Sequence, residues 1–230
     1  MNAPQQHEDV NDLTACLKPT YYLDAEDPSV RAFAKEAIGE ATDDVEKAVR
    51  LYYAVRDGFL YDPYSIDYRP ETFKASAVIA RGRGYCVGKA VVLAATARAT
   101  GIPARLGFAD VRNHLATERL RRMMGTDIFY YHGFTELHLD GKWVKATPAF
   151  NIELCRKFGV LPLEFDGRSD AIFHPFDASN RRHMEYVNDR GSRADLPFEE
   201  LRDAMARYYP RFSSAELEGD FQAEAEAERR

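Results

Sequence analysis

The sequence has only three cysteines, and no stretch reaches the roughly 18 apolar residues that a membrane-spanning helix needs. Cys16, Cys86 and Cys155 are too few and too widely spaced for a disulfide framework or a CxxC zinc site. They are compatible with a single reactive thiol. The N-terminal segment is polar and acidic and lacks the features of a signal or transit peptide, so we expect a cytoplasmic protein that does not enter a membrane.

Positive charge is also scarce. The 230 residues carry 31 Lys and Arg against 37 Asp and Glu, which gives a net charge of −6 with histidine neutral. Binders of nucleic acid or of anionic membranes need a positive surface, so we expect neither kind of partner. The chain is nevertheless 45% hydrophobic, with 14 Phe and 13 Tyr, so it can pack a core and is not a disordered chain.

Length and composition favour one core domain with flanking segments. We predict a mobile N-terminal arm over residues 1–20, a core over 21–150, and a C-terminal extension over 151–230. The extension is expected to pack on the core and to end in an acidic helical tail. Within it, the pattern predicts a short helix at 152–158 and another helix that begins near 195–198, whereas 162–192 has no clear period.

The first half of the core is predicted to be helical. One helix is expected to begin at Pro28 after the capping residue Asp27, and a second at residues 42–44. A loop over 61–71 and a short helix over 72–80 are expected to follow. The segment VGKAVVLAATARAT after Cys86 is apolar almost all round, which is typical of a buried central helix.

Three strands are predicted after the central helix, at residues 104–110, 128–139 and 142–150. The dipeptide Asp140-Gly141 between the last two is a typical two-residue hairpin turn. This turn pairs Leu139 with Lys142. Carried along both strands, the same register would place His132 opposite Ala149 and Phe134 opposite Thr147.

Cys86 differs from the other two cysteines because it begins the predicted central helix. A helix N-terminus carries about half a positive charge and free N–H groups. These groups lower the pKa of a thiol, favour the thiolate and could hold an oxyanion. The preceding Gly84 and Tyr85 are expected to bind substrate, since glycine lets a substrate backbone come close.

A cysteine nucleophile needs a base, and strand geometry favours His132 among the six histidines of the sequence. In the predicted register, Thr147 and Asn151 are its diagonal neighbours, so either could orient the imidazole. Phe134, on the same strand face, is a further expected substrate-binding residue. His132 and His138 lie about 20 Å apart on an extended strand. They cannot share a metal ion, and we expect neither a metal nor a cofactor.

Two segments carry a resemblance to a known family: GRGYCVGKAVVLAATARATGIPARLGF (82–108) and YHGFTELHLDGKWVKATPAF (131–150). Together they resemble the transglutaminase-like superfamily, a circularly permuted relative of papain-type cysteine enzymes. The resemblance implies an α+β papain/transglutaminase-like fold, in which the buried helix packs on an antiparallel sheet. It also implies that Cys86 is the nucleophile and His132 the general base and acid. The family's third residue is an aspartate before a proline, and here that position holds Thr147.

The resemblance implies a cysteine-dependent acyl-transfer enzyme that attacks an amide of a peptide or protein. With water as acceptor it would be an amidase or protease, and with an amine a cross-linking enzyme. Either Thr147 or Asn151 would complete a degenerate triad. The missing aspartate leaves a second hypothesis open, in which a catalytically degenerate domain uses the same cleft to bind a peptide or a protein.

Overall fold

The helices come mainly before the sheet along the chain. A computed structural model describes residues 12–113, 116–172, 184–211 and 219–228. The helices are α1 Pro28–Ile38, α2 Asp44–Gly58, α3 Ala75–Arg81, α4 Cys86–Ala99, α5 Glu118–Met124, α6 Ile152–Phe158, α7 Phe198–Tyr208 and α8 Phe221–Glu228. The strands are β1 Leu60–Tyr61, β2 Arg83–Gly84, β3 Ala104–Asn113, β4 Ile128–Leu139, β5 Lys142–Ala146 and β6 Met184–Arg193.

Helix α4 lies at the centre of the molecule, and every residue from Cys86 to Arg98 is buried. Helices α1, α2 and α3 pack around it, and strands β3 and β4 pack against it from the sheet. The prediction of a buried central helix on an antiparallel sheet is therefore confirmed. Burial on all sides explains why the segment has no polar face.

The two predicted helix starts are confirmed by their caps. The Asp27 carboxylate accepts the Ser29 N–H at 2.8 Å, with Pro28 as the first helical residue. The Asp43 carboxylate accepts the Glu46 N–H at 3.0 Å at the start of α2. In each case a side-chain oxygen satisfies an N–H group that has no partner within the helix.

The main sheet has four antiparallel strands in the order β5-β4-β3-β6. Its β4–β5 hairpin has the predicted register, which runs from Leu139 paired with Lys142 to Thr135 paired with Ala146. A second, two-stranded parallel sheet pairs β1 with β2. This small sheet places Tyr61 beside Gly84, two residues before Cys86.

The prediction that the last strand runs to residue 150 is wrong, because β5 ends at Ala146. Proline has no N–H to donate to a strand ladder, so Pro148 cannot continue the pairing. The chain turns instead towards Ala171, whose carbonyl accepts the Thr147 N–H at 2.8 Å. The expected pairs of Phe134 with Thr147 and of His132 with Ala149 therefore do not form in the sheet.

The first core strand is longer than predicted, since β3 runs to Asn113, and its partner β6 was not predicted. Strand β6 lies at the sheet edge with two register shifts against β3, so its sequence, MEYVNDRGSR, lacks clean alternation. The region predicted as a loop, 61–71, contains the end of β1 and a 3₁₀ turn. Helix α3 begins three residues later than predicted, after a second 3₁₀ turn.

The helices predicted in the C-terminal extension are present as α6 and α7, and α8 forms part of the predicted tail. The remainder of the tail, 214–218 and 229–230, lies outside the described residues. Within the predicted mobile arm, Ala15 and Cys16 are buried, whereas most other residues of 12–20 are exposed. Cys16 is fully buried, and the Arg98 side chain donates to the Lys18 carbonyl at 2.6 Å. The division into arm, core and extension stays a prediction.

In the described part of the chain, no helix is both long enough and apolar enough to cross a membrane.

Candidate active site

Cys86 is the first residue of α4, as the sequence predicts. The residue before it, Tyr85, is the N-cap and makes no side-chain capping hydrogen bond. The backbone N–H groups of Gly133, Val87 and Cys86 instead lie near the Cys86 sulfur and favour its negatively charged form. The thiol thus lies where a helix start and strand β4 meet.

Gly133 explains how α4 comes so close to β4. A Cβ atom on Gly133 would lie 3.0 Å from both Cα and Cγ2 of Val87, which is closer than side chains normally approach. Only glycine lets the first turn of α4 lie directly on the strand residue that follows His132. The close approach is a steric requirement that the sequence pattern alone did not reveal.

His132 is the buried residue next to Gly133 on β4, and it pairs with Ala109 of β3. Cys86 and His132 line the same cavity. The structure therefore brings together the two residues that the sequence analysis selected as nucleophile and base.

A β-bulge precedes His132 and re-aims the strand. Between the pairs formed by Ala109 and Val111, β4 has one more residue than β3. Within the bulge, Tyr131 has a positive φ of 55°, a conformation that non-glycine residues rarely adopt. Such strain persists only where the surrounding structure holds it.

Asp110 and Arg190 hold this bulge. The Asp110 carboxylate accepts the Tyr131 N–H at 3.2 Å and two bonds from the Arg190 guanidinium at 2.7 and 2.8 Å. The same guanidinium lies 4.4 Å from the centre of the Tyr131 ring, in a cation–π contact. Sequence reasoning missed this pair because Arg190 belongs to the strand that was not predicted.

The expectation of a low thiol pKa at Cys86 is wrong for this structure. Burial raises the pKa of the thiol to about 11, and the N–H groups of Gly133, Val87 and Cys86 only partly oppose this effect. Cys86 is 4% exposed, so its thiolate would lose most of its hydration. Burial therefore favours the neutral thiol, and a base that takes its proton would assist attack.

The cavity beside Cys86 has an apolar wall. Its aromatic lining consists of Tyr61, Tyr85, Phe129, Tyr130, Tyr131 and Tyr209. Helix α5 adds Leu120 and Met124, and helix α7 adds Met205. The volume open to the centre of a water molecule is about 40 Å³. In the described part of the chain, the lining contains no Asp, Glu, Lys or Arg.

The two residues proposed to orient His132 make other contacts. The Thr147 backbone bonds with Ala171 and Tyr52, while its buried Oγ1 has no hydrogen bond within the described part of the chain. The Asn151 Oδ1 accepts the Tyr61 N–H at 3.1 Å. Neither residue lines the cavity that Cys86 and His132 share.

The expected substrate-binding residues separate into two groups. Tyr85 lines the cavity beside Cys86. Gly84 is buried in the β1–β2 pair, where its carbonyl accepts the Asp62 N–H at 3.1 Å. Phe134 lies in a separate small core with Ala109 and Val111, so it does not line the cavity.

Lys89 is a further residue that sequence reasoning missed. It lies one turn after Cys86, is completely buried, and donates to the carbonyls of Arg56, Phe59 and Ala149 at 2.7–2.8 Å. It thereby ties α4 both to the end of α2 and to the segment after Pro148. A single lysine within an apolar helix was the signal that could have identified it.

Among the described residues, no group of three or more His, Cys, Asp or Glu side chains is arranged to hold a metal ion.

Comparison with protein families gives one match. The family model described as the transglutaminase-like superfamily matches residues 31–148, slightly more than half of the chain. The matched region contains Cys86, His132 and Thr147. It ends before α6, α7 and α8, so the model does not cover the helix that contributes Met205 and Tyr209 to the cavity.

Two solved structures are similar to the chain. A candidate cysteine protease from Cytophaga hutchinsonii has 18% identity and a TM-score of 0.47, over 83% of this chain and 56% of its own. A candidate protease from Parabacteroides distasonis has 16% identity and a TM-score of 0.39, over 58% of this chain and 26% of its own. The chain thus spans about half or less of the length of these structures. A comparison with curated proteins found no match.

Proposed function

The chain belongs to the transglutaminase-like superfamily, and we propose that it is a cysteine-dependent acyl-transfer enzyme that attacks an amide. The observation that carries this proposal is the shared cavity of Cys86 and His132, with the thiol at a helix start and the imidazole on the adjacent strand. A peptide or protein substrate and a cytoplasmic location stay predictions from the sequence.

In the proposed first step, the Cys86 sulfur attacks the carbonyl carbon of the amide while His132 takes the thiol proton. A carbon–sulfur bond forms, and N–H groups near the start of α4 stabilise the negative oxygen. His132 then gives its proton to the amide nitrogen, the carbon–nitrogen bond breaks, and the free amine leaves. The acyl group remains on sulfur as a thioester.

In the second step, His132 takes a proton from the acceptor, which attacks the thioester carbon. Water gives a carboxylic acid, and an amine gives a new amide; in both cases the proton returns to the Cys86 sulfur. The raised pKa of Cys86 fits a mechanism in which the base removes the proton during attack. It does not fit a preformed thiolate–imidazolium pair at neutral pH.

The second candidate function is a binding module that retains the fold without catalysis. Two points favour it: the sequence resemblance places Thr147 where the family has an aspartate, and burial raises the pKa of Cys86. Such a module would use the cavity to hold a peptide or protein segment. The two functions differ in whether His132 controls the reactivity of Cys86.

The experiment that separates them is iodoacetamide labelling of the full chain from about pH 6 to pH 10, read by mass spectrometry. If His132 is the base, His132→Ala lowers the labelling rate of Cys86 at pH 7 by about 100-fold. The difference narrows towards pH 10, since hydroxide then removes the proton in both proteins.

Cys16 and Cys155 are internal controls in the same digest, since both are buried thiols outside the cavity. Their labelling rates should be the same with and without His132. If Cys86 also labels equally in both proteins across the pH range, acyl transfer through His132 is excluded and the binding module is favoured.

A further inference from the structure

We infer that the cavity beside Cys86 receives the acyl part of the substrate and selects a small, uncharged, apolar side chain there. The inference rests on the proposed acyl transfer and names its substrate class. It follows from the position, the charge and the size of the cavity, and from the two helices that close it.

The position of the cavity, beside the Cys86 sulfur, assigns it to the acyl part of the substrate. The acyl group stays on the sulfur through both steps, whereas the amine and the acceptor must leave and enter. Cys86 and His132 both line the cavity, and both are almost completely buried. A space beside the sulfur therefore suits the part of the substrate that remains there.

The lining excludes a charged side chain. In the described part of the chain, the cavity walls hold aromatic and aliphatic residues and no Asp, Glu, Lys or Arg. A lysine side chain of the substrate would lose its hydration there without gaining an opposite charge, and a glutamate would find only the His132 imidazole as a partner that can carry positive charge. Transfer of an apolar side chain from water to these apolar walls would instead be favourable.

The volume of the cavity limits how large the apolar side chain of the substrate can be. About 40 Å³ is open to the centre of a water molecule. An apolar cavity of roughly 150 Å³ is known to hold benzene, so a space of about 40 Å³ takes a group of only a few heavy atoms. That space fits a methyl or isopropyl group, as in alanine and valine. A phenyl ring has twice as many heavy atoms and would require the wall to move.

Helix α7 and the residue after it supply part of the wall, through Met205 and Tyr209. The Tyr209 hydroxyl, just after α7, donates to the Ile128 carbonyl at 2.8 Å and accepts the Tyr130 N–H at 2.6 Å. These bonds fix the end of α7 to strand β4, which carries His132. Met205, one turn earlier, lines the cavity with a long unbranched side chain. Shortening Met205 should therefore enlarge the cavity while the rest of its wall remains.

The test uses acetyl-aminoacyl chloromethyl ketones with alanine, valine, phenylalanine, lysine or glutamate at the acyl position. The Cys86 sulfur bonds to the methylene carbon, chloride leaves, and the thiol proton passes to the solvent. Each rate is divided by the iodoacetamide rate of the same protein, which removes differences in thiol reactivity. We expect the alanine and valine reagents to react about tenfold faster than the other three.

Met205→Ala should raise the relative rate of the phenylalanine reagent about tenfold and leave the lysine and glutamate reagents slow. Met124→Ala, on α5, enlarges the same cavity from another helix and serves if the first variant does not fold. Met123→Ala is the matched control: this neighbouring methionine does not line the cavity, so the order of the reagents should not change.

The results separate this inference from the function on which it rests. If Cys86 labels in a His132-dependent way but the five reagents react equally, the inference is overturned and acyl transfer stands. A preference for lysine or glutamate, or a phenylalanine rate unchanged by both cavity variants, overturns it in the same way. If His132→Ala has no effect on Cys86 labelling, the proposed function and the inference both fail.

Discussion

Thr147 stands where the resemblance to the family leads us to expect an aspartate. The hydroxyl could accept a hydrogen bond from an imidazole, but it cannot balance the charge of an imidazolium as a carboxylate does. In the structure, its Oγ1 is buried without a hydrogen bond among the described residues. A hydroxyl in that state contributes little to stability, because it has lost its hydration without a compensating bond.

We therefore expect Thr147→Val, which keeps the shape of the side chain, to change the unfolding free energy by less than about 0.5 kcal/mol. It should also leave the rate of Cys86 labelling unchanged. Urea unfolding and iodoacetamide labelling of the same preparation measure both effects. A tenfold loss of Cys86 labelling would instead show that Thr147 orients His132.

Thr135→Val is the matched control for this substitution. The Thr135 hydroxyl is also buried, but it donates to the Ala90 carbonyl at 2.9 Å. Its loss should cost about 1 kcal/mol, the usual net contribution of such a bond. Both substitutions replace threonine with valine. A larger loss of unfolding free energy in Thr135→Val therefore reports the hydrogen bond that only Thr135 makes.

At the scale of single residues, the pairing of Cys86 with His132 could be predicted from the sequence, but the pKa of the Cys86 thiol could not. A glycine-rich break before an apolar helix places Cys86 at the helix start, and the Asp140-Gly141 turn sets the strand that carries His132. The thiol pKa depends on burial by parts of the chain that are distant in sequence, including α5 and α7. No local pattern around Cys86 contains that information.

Among the elements, α4 is held in place by Lys89 as well as by apolar packing. An ammonium group has three N–H donors, and three backbone carbonyls receive them. Two of these carbonyls, of Arg56 and Phe59, belong to the end of α2, where carbonyls lack partners within the helix. Burial lowers the pKa of Lys89 well below its usual value, and the nearby Asp57 carboxylate opposes this effect.

Lys89→Met should therefore lower the unfolding free energy by about 3 kcal/mol or more, since three buried carbonyls lose their donor. Urea unfolding measures the loss. Lys35→Met is the control, because Lys35 is exposed on α1 and its replacement should change the free energy by less than about 0.5 kcal/mol. Equal effects of the two substitutions would contradict this role of Lys89.

The elements that could be predicted are those with a strong local signal. Caps and apolar periodicity gave α1, α2 and α4, and the turn gave the β4–β5 register. Strand β6 pairs at the sheet edge through backbone groups and carries mostly polar residues, so its sequence has no strand period. The early end of β5 depends on Pro148 together with Ala171, which lies 25 residues beyond Ala146 along the chain.

For the molecule as a whole, the buried thiols make stability depend on pH in the alkaline range. Burial raises the pKa of Cys86 to about 11 and that of Cys155 to about 12, and it also raises the pKa of Cys16. A group with a raised folded-state pKa contributes stability that is fully present below its unfolded pKa. That contribution is lost as the pH rises through the folded pKa.

The unfolding free energy should thus be flat near neutral pH and fall above about pH 9, by up to about 1.4 kcal/mol per pH unit for each thiol. Urea unfolding in a reducing buffer from about pH 7 to pH 10 gives this slope, to which buried tyrosines with raised pKa values also contribute as the pH approaches 10. Cys155→Ala removes one contributing thiol, so its slope between pH 9 and pH 10 should be smaller by up to about 1.4 kcal/mol per pH unit. Its stability at pH 7 will also drop because of the lost packing, but that drop is constant with pH. A slope in Cys155→Ala equal to that of the wild type would show that Cys155 ionises as readily in the folded chain as in the unfolded one.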